Sequence, residues 1–444
     1  MLLVKTSNQS NLLLEVGQES GEDYTNGPGE EEYQPKPKIG SGHTAYNPKV
    51  YGKRQKTYGQ EKTALEAVVE GNEKLAGRLF LEASKIPGNL VLSPSSVSTV
   101  LAMVAMGATG STRDQLLTGL ALPDQGVGLG YRQLLPNLSS NNSFTLETAN
   151  RIYLQVGHPA TPSFQRELAT NFLASTAVTN FGESEKSAKL INDWVEEKTR
   201  NKIKDLINPV ILNKDTRMVL INAIYFKADW KIKFDKRNTE QTSFFSELKE
   251  VNVAMMHVKN RFEHIYLKEL KSQVLRLPYR NDKVVMEILL PDARGGLKQV
   301  EKKLKSTNIQ ALLKQNKFYN STMNVFLPKF KLETTLPLND ILKELGMTDM
   351  FNGGLEGITG DPDLAVSSVL QKAFIEVTEE GAEAAAATAV VAVTRSLTIT
   401  PTFMANHPFL FYLREAATGL LLFQGRVADP SQGGQALGED YIVA

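Results

Sequence analysis

From Thr63 to Pro430 no stretch of the sequence reads as a linker, and that continuity constrains the fold more than any other feature. Helical spacing comes first. Apolar residues recur at helical intervals from Thr63 to Ser84, and Ser93-Pro94 opens a second amphipathic helix through Met106. Residues 186–207 predict a third, with Ile191, Trp194, Val195, Ile203 and Leu206 on one side. Strand-like runs then take over: Met218 to Phe226, Val253 to Met256, Val284 to Leu290, Met323 to Phe330, Phe374 to Thr378, Phe409 to Leu413 and Gly419 to Val427. Helices before strands fit an α+β class better than an alternating doubly wound sheet. A chain of 444 residues would ordinarily divide into about three domains. Without linkers or an internal repeat, one large domain over residues 63–430 is expected instead.

Residues 1–62 show neither period. Acids such as Glu19, Asp23 and Glu30–Glu32 crowd the first half, and bases such as Lys36, Lys49 and Arg54 the second. Such a segment buries too little apolar surface to offset its ordering entropy, so it predicts a disordered acidic-then-basic arm. The arm is either a solvated tail or an electrostatic contact with a partner, the latter strengthened if Tyr24 or Tyr33 is sulfated. Residues 431–444 read as a C-terminal tail. Met1–Val4 is too short an apolar run for a signal-peptide core. That leaves a cytosolic chain, a leader outside this sequence or a second start site. Sequons at Asn8, Asn137, Asn141 and Asn320 are candidate glycosylation sites and fit a secreted, extracellular chain.

With 50 basic and 49 acidic residues the chain has no basic excess, so nucleic acid is not an expected partner. No run of eighteen apolar residues exists, so no membrane span is predicted. There is no cysteine, which excludes disulfides, thiolate nucleophiles and thiolate metal sites. The five histidines include no His-Glu-x-x-His pair, and neither a Gly-x-Ser-x-Gly elbow nor a phosphate-binding glycine loop occurs. His407, between Asn406 and Pro408, reads as a structural histidine at a strand start. The chain is not expected to be an enzyme, to use a cofactor or to bind a metal.

The most informative segment is Glu379-Glu380-Gly381-Ala382-Glu383-Ala384-Ala385-Ala386-Ala387-Thr388, continuing to Ser396. Its alanines alone suggest a surface helix. Yet no charge occurs from Ala384 to Thr394, so such a helix would lack a polar face. Its β-branched half also prefers extended chain. Read as a strand, one parity carries Ala382, Ala384, Ala386, Thr388, Val390 and Ala392, all small, while Glu383 falls on the other. Alanine is a poor strand former, so the strand is permitted rather than compelled. That suits a segment that starts as a loop and inserts into a sheet later.

Over residues 64 to 430 the chain resembles the serpins. The resemblance is carried by Asn89-Leu-Val-Leu-Ser-Pro-Ser-Ser96, by Asn192-Asp-Trp-Val195, and by Ile221-Asn-Ala-Ile-Tyr-Phe226 with Trp230. Further matches are Val253-Ala-Met-Met256, Leu277-Pro-Tyr279, Leu289-Leu-Pro291, Leu327-Pro-Lys-Phe330, the hinge from Glu379 to Thr388, and Asn406-His-Pro-Phe-Leu-Phe411. It implies the serpin fold: three β-sheets, about nine helices and an exposed reactive-centre loop, here 379–401. It also implies a suicide-substrate inhibitor whose cleaved loop enters the central sheet and traps the acyl-enzyme. In the family the scissile bond usually lies fourteen residues past the hinge glycine, which from Gly381 gives Arg395–Ser396, with Thr394 and Val393 in the neighbouring subsites. Loop lengths vary by a residue or so, leaving Thr394 or Ser396 as alternatives. Arginine there selects a trypsin-like serine protease as covalent partner.

By the same resemblance Ser93, Ser96 and Asn222 match a hydrogen-bonded cluster beneath the central sheet that parts for insertion. Trp230 and Glu379 match residues where the loop enters. The cluster position usually held by His is Gln371 here, an amide that can donate and accept but cannot become charged. A heparin-like polyanion site is not evident: residues 112–135 offer only Arg113 and Arg132. Basic clusters do occur at Lys198, Arg200, Lys202 and Lys204 and at Lys302, Lys303 and Lys305. The arm resembles in composition the acidic tail of a heparin-dependent serpin, which engages a protease exosite. A monomer is expected. The alternatives are a non-inhibitory serpin carrying a ligand or binding a protein, and an intracellular serpin.

Overall fold

The first helix begins where the helical spacing from Thr63 predicts it, and Thr63 is its cap. Its hydroxyl accepts from the Glu66 N–H and the Glu66 carboxylate accepts from the Thr63 N–H, closing a capping box. The computed structural model describes residues 62–138, 144–380 and 400–433. Within them lie ten α-helices: α1 (Ala64–Ala83), α2 (Pro94–Ala105), α3 (Gly110–Leu120), α4 (Val127–Leu134), α5 (Pro162–Phe172) and α6 (Ser184–Lys198), then α7 (Leu297–Leu304), α8 (Ile309–Gln315), α9 (Asn339–Glu344) and the single turn α10 (Glu356–Thr359). The strands of the first half are β1 (Leu90–Leu92), β2 (Phe144–Gln155), β3 (Ser175–Thr179), β4 (Met218–Ala228), β5 (Glu240–Phe245), β6 (Glu250–Leu267) and β7 (Ser272–Pro278). The rest are β8 (Val284–Pro291), β9 (Tyr319–Pro328), β10 (Phe330–Pro337), β11 (Ser368–Val377), β12 (Thr402–Met404), β13 (Phe409–Glu415) and β14 (Leu421–Val427).

The five-stranded sheet has the order β10-β11-β4-β2-β3, and the larger one runs β1-β14-β13-β8-β7-β6-β9-β12 with β5 on β6. The three expected sheets are thus two continuous ladders. The reason is β6. Its first half pairs with β5 (Met255↔Glu240) and its last residues with β7 (Glu263↔Arg276), so one long strand belongs to two sheets and joins them. The single run expected from Met323 to Phe330 breaks at Pro328, which cannot donate to a ladder. It becomes β9 in the large sheet and β10 in the small one.

The small sheet separates two apolar layers. Leu220, Ile224, Phe226, Val369 and Ile375 face the main core, which includes the fully buried α2. Val219, Ile221, Tyr225, Leu370 and Phe374 face a second cluster built with Ile191 and Val195 of α6. Alternate residues of β4 and β11 therefore divide between the layers, as period-two geometry requires.

The helix expected over 186–207 stops at Lys198. Thr199 closes it, its hydroxyl donating to the Val195 carbonyl (2.8 Å) and accepting from the Ile203 N–H (3.1 Å). Arg200, Asn201 and Asp205 then take positive φ (52°, 59° and 48°), which a helix cannot use. Ile203 and Leu206 still reach the α6 layer, delivered by this loop.

Candidate functional site

The centre of the small sheet is held by amides and hydroxyls in an otherwise apolar interior. Gln371 of β11 and Asn222 of β4 are register partners, and both are fully buried. The Gln371 side-chain N–H₂ donates to the Asn222 carbonyl oxygen (2.5 Å) and to the Ser93 backbone carbonyl (3.0 Å), while its Oε1 accepts from the Ser93 N–H (3.0 Å). The Asn222 N–H₂ in turn donates to the Ser96 hydroxyl and to Asn150 Oδ1, and the Ser96 hydroxyl donates to Asn150 Oδ1 (3.1 Å). Ser93 is the N-cap of α2, and its hydroxyl also donates to the Leu422 carbonyl of β14 (2.7 Å).

The structure thus brings Ser93, Ser96, Asn222 and Gln371 together, tying α2 to β4 and β11 at their shared seam. An amide at 371 satisfies this site by donating and accepting at once. Sequence reasoning missed Asn150. It is the register partner of Asn222 on β2, and only the antiparallel β2–β4 pairing puts it there.

A second constellation sits where β11 ends. The Trp230 indole N–H donates to the Thr378 carbonyl (2.8 Å), and its ring stacks on Tyr279 with centroids 4.2 Å apart. Glu379 is buried, pairs with Lys329 (2.9 Å) and accepts from the Thr239 hydroxyl (2.9 Å). Burial pushes its carboxyl pKa up, but the hydrogen bonds from Lys329, the backbone and Thr239 together outweigh that and hold it below its ordinary value. Glu380 pairs with Lys236, which lowers the Glu380 pKa and raises that of the lysine. Lys329, Thr239 and Lys236 were not singled out from sequence, since each comes from a distant segment.

β11 and β4 run parallel with eight registered pairs, from Ser368↔Val219 to Ile375↔Phe226, whereas their outer neighbours β10 and β2 pair antiparallel. The chain leaves this sheet after Thr378 and reappears at Thr402 in the large sheet, where β12 lies parallel to β9 (Phe403↔Val325). Gly381, Ala382, Ala384, Ala386, Thr388, Val393, Thr394, Arg395 and Ser396 lie outside the described residues. So do Asn8, Asn141, residues 1–61 and residues 434–444. Asn137 is exposed, its side chain donating to the Gln133 carbonyl (3.0 Å). Asn320, also exposed, accepts from Arg261 (3.3 Å).

The basic clusters are engaged only in part, Lys303 of the second donating to the Glu269 carbonyl. Lys198 pairs with Glu197, Arg200 with Glu147, Lys204 with Glu196 and Arg113 with Asp124. His407 is buried at the start of β13, one ring nitrogen 2.7 Å from the Pro291 carbonyl, a structural placement. Among the described residues no cluster of potential metal ligands occurs, and no helix is long and apolar enough to cross a membrane.

A family model described as serpin (serine protease inhibitor) matches residues 70–430. Human Serpin B8 is 38% identical over 374 residues, covering 82% of this chain and all of that protein. Human leukocyte elastase inhibitor is 36% identical over 379 residues, with the same coverage. Among solved structures, Serpin48 of the insect Tenebrio molitor superposes with a TM-score of 0.74 at 32% identity, covering 84% of this chain and all of its own. Human thyroxine-binding globulin, complexed with thyroxine, does so with a TM-score of 0.76 at 27% identity, covering 83% of this chain and all of its own.

These relatives correct one expectation. Serpin B8 and leukocyte elastase inhibitor are clade B serpins, which are intracellular and lack signal peptides, so the secreted, extracellular placement drawn from the sequons is withdrawn. Sequons are three-residue patterns that recur by chance, whereas the relatives match end to end. A family model spanning most of the chain, together with relatives matched over their whole length, shows that the protein belongs to the serpin family of serine protease inhibitors.

Proposed function

We propose that this serpin inhibits trypsin-like serine proteases as a single-use substrate cut at Arg395–Ser396. The observation that carries the reading is the parallel seam between β4 and β11, which leads directly into a stretch of small residues. A segment that turns back after Thr378 runs antiparallel to β11, and therefore antiparallel to β4 as well. Insertion exchanges one parallel pairing, the weaker kind per residue, for two antiparallel ones. Gly381 allows the turn. Ala382, Ala384, Ala386 and Thr388 present little bulk and no charge to the face that must be buried.

The protease serine attacks the Arg395 carbonyl, the amine of Ser396 leaves, and an ester joins Arg395 to the enzyme. At about 3.3 Å per residue, a strand from Ala382 to Arg395 carries that ester roughly 45 Å from the hinge. The protease is dragged with it before water can release it. The Ser93, Ser96, Asn222 and Gln371 cluster acts as the gate that must part, and Trp230 with Glu379 holds the end of β11 until then. Arg395 matches a specificity pocket holding a carboxylate, with Thr394 and Val393 in adjoining subsites. This departs from leukocyte elastase inhibitor, whose name records an elastase. The chain acts as a monomer, and the acidic-then-basic arm adds a contact at a protease exosite.

A ligand-carrier reading has one observation of its own. A cavity of about 560 Å³ lies between α1, the α7–α8 connection and β13–β14, lined in part by Arg78, Gln310, Tyr412 and Gln424, and thyroxine-binding globulin shares the fold. Incubation with trypsin separates the two. Inhibition gives a denaturant-resistant covalent complex and a released fragment beginning at Ser396. Clean cleavage without a complex would favour the carrier, and a fragment with another first residue would remove Arg395.

A further inference from the structure

β3 pairs with β2 only from Arg151 onward (Arg151↔Ser175). Against the preceding stretch of β2 lies a cavity of about 380 Å³, within the range of small-molecule sites. Leu134, Leu138, Leu146, Phe172 and Ile224 give it apolar walls, and no Asp or Glu lines it. Its polar end is cationic: Arg151 and Lys198 line it together with Trp194.

The Arg151 guanidinium lies over the Trp194 ring, 4.0 Å from a ring centroid, and its terminal nitrogen reaches the Ser175 hydroxyl at 3.4 Å. Among the described residues it pairs with no carboxylate and acts besides on the Tyr153 hydroxyl, and its buried Nε has no hydrogen-bond partner. The buried indole N–H of Trp194 has none either. A half-buried cation and two unmet donors at one end of an apolar cavity are costly unless an anion completes them. Lys198 adds a second positive charge at the rim, offset only by an exposed pair with Glu197, which is worth little.

We propose that this cavity binds an amphipathic carboxylate, such as a medium-chain fatty acid, with its head on Arg151 and Trp194 and its tail among the leucines. The inference does not depend on the inhibitory reading. Ser96 and Asn150 also line the cavity, so the ligand would rest against the residues that hold Asn222 in place.

The test is calorimetric titration of the intact chain with laurate, dodecanol and dodecyltrimethylammonium. One laurate is expected to bind per chain, at least tenfold more tightly than either analogue, and to raise the melting temperature. Arg151→Gln should weaken laurate at least tenfold. Lys198→Gln, at an exposed position that folding tolerates, should weaken it severalfold, with the difference shrinking as salt is added. The larger cavity beside α1 also holds cations, Lys74 and Arg78. Laurate binding left intact in both variants would assign the ligand there and overturn the proposal. So would equal affinity for laurate and the cationic analogue, or no binding at all.

Discussion

Replacing Gln371 by Ala removes three hydrogen bonds from a fully buried site. The Ser93 carbonyl keeps a partner, because it also accepts from the Val97 N–H within α2 (3.1 Å). The Ser93 N–H and the Asn222 carbonyl oxygen do not. Each buried polar group left unmet costs about 1–3 kcal/mol, so the variant should lose roughly 2–6 kcal/mol. Asn222→Ala should lose less, about 1–3 kcal/mol, since Ser96 and Asn150 still bond each other and only the Gln371 N–H aimed at Asn222 is left unmet. Both substitutions break the one Gln371–Asn222 contact, so their effects must overlap. The double variant should fall short of the sum by at least about 1 kcal/mol, within the usual range for groups in one network. Guanidinium unfolding of the uncut chain, followed at its first transition, measures all three. Losses that simply add, or a single-variant loss under about 1 kcal/mol, would refute the claim that the cluster clamps the seam.

Two further outcomes follow from the same sites. The folded state holds the Glu379 pKa below its unfolded value, so its contribution is present in full above the ordinary carboxylate range, about pH 4.3, and is lost as pH falls through the lowered folded value. Stability measured from pH 6 to pH 3 should therefore decline less steeply in Glu379→Gln than in the unaltered chain, and parallel curves would contradict this. Ala384→Arg places a charge on the parity that must be buried. It should turn the inhibitor into a substrate, still cut after Arg395 but with covalent complex reduced at least tenfold on denaturing gels; undiminished complex would argue against insertion.

The sequence foretold elements whose signals are local. Apolar spacing from Thr63 located α1, and Ser93-Pro94 marked the start of α2, because both signals are decided within a few turns. β2 escaped notice because Glu147, Asn150 and Arg151 interrupt its apolar alternation, and their partners lie on β4, α6 and the loop after it. The run after Lys198 kept a helical spacing of apolar residues while its backbone took three positive φ values, so periodicity misled there. Site residues such as Ser93 and Gln371 came from family resemblance, not from pattern. Nothing local says that residue 371 sits beside residue 222, which is a matter of sheet order. The same limit hid Lys329 and Thr239, the partners of Glu379, and the join made by β6.

The central claim is that residues following Thr378 become a new strand between β4 and β11. Thermal unfolding of the chain before and after a single cut at Arg395–Ser396 tests it most directly. A melting temperature higher in the cut form by tens of degrees, with new amide protection along β4 and β11, is the predicted result. Equal or lower heat resistance after the cut would contradict it.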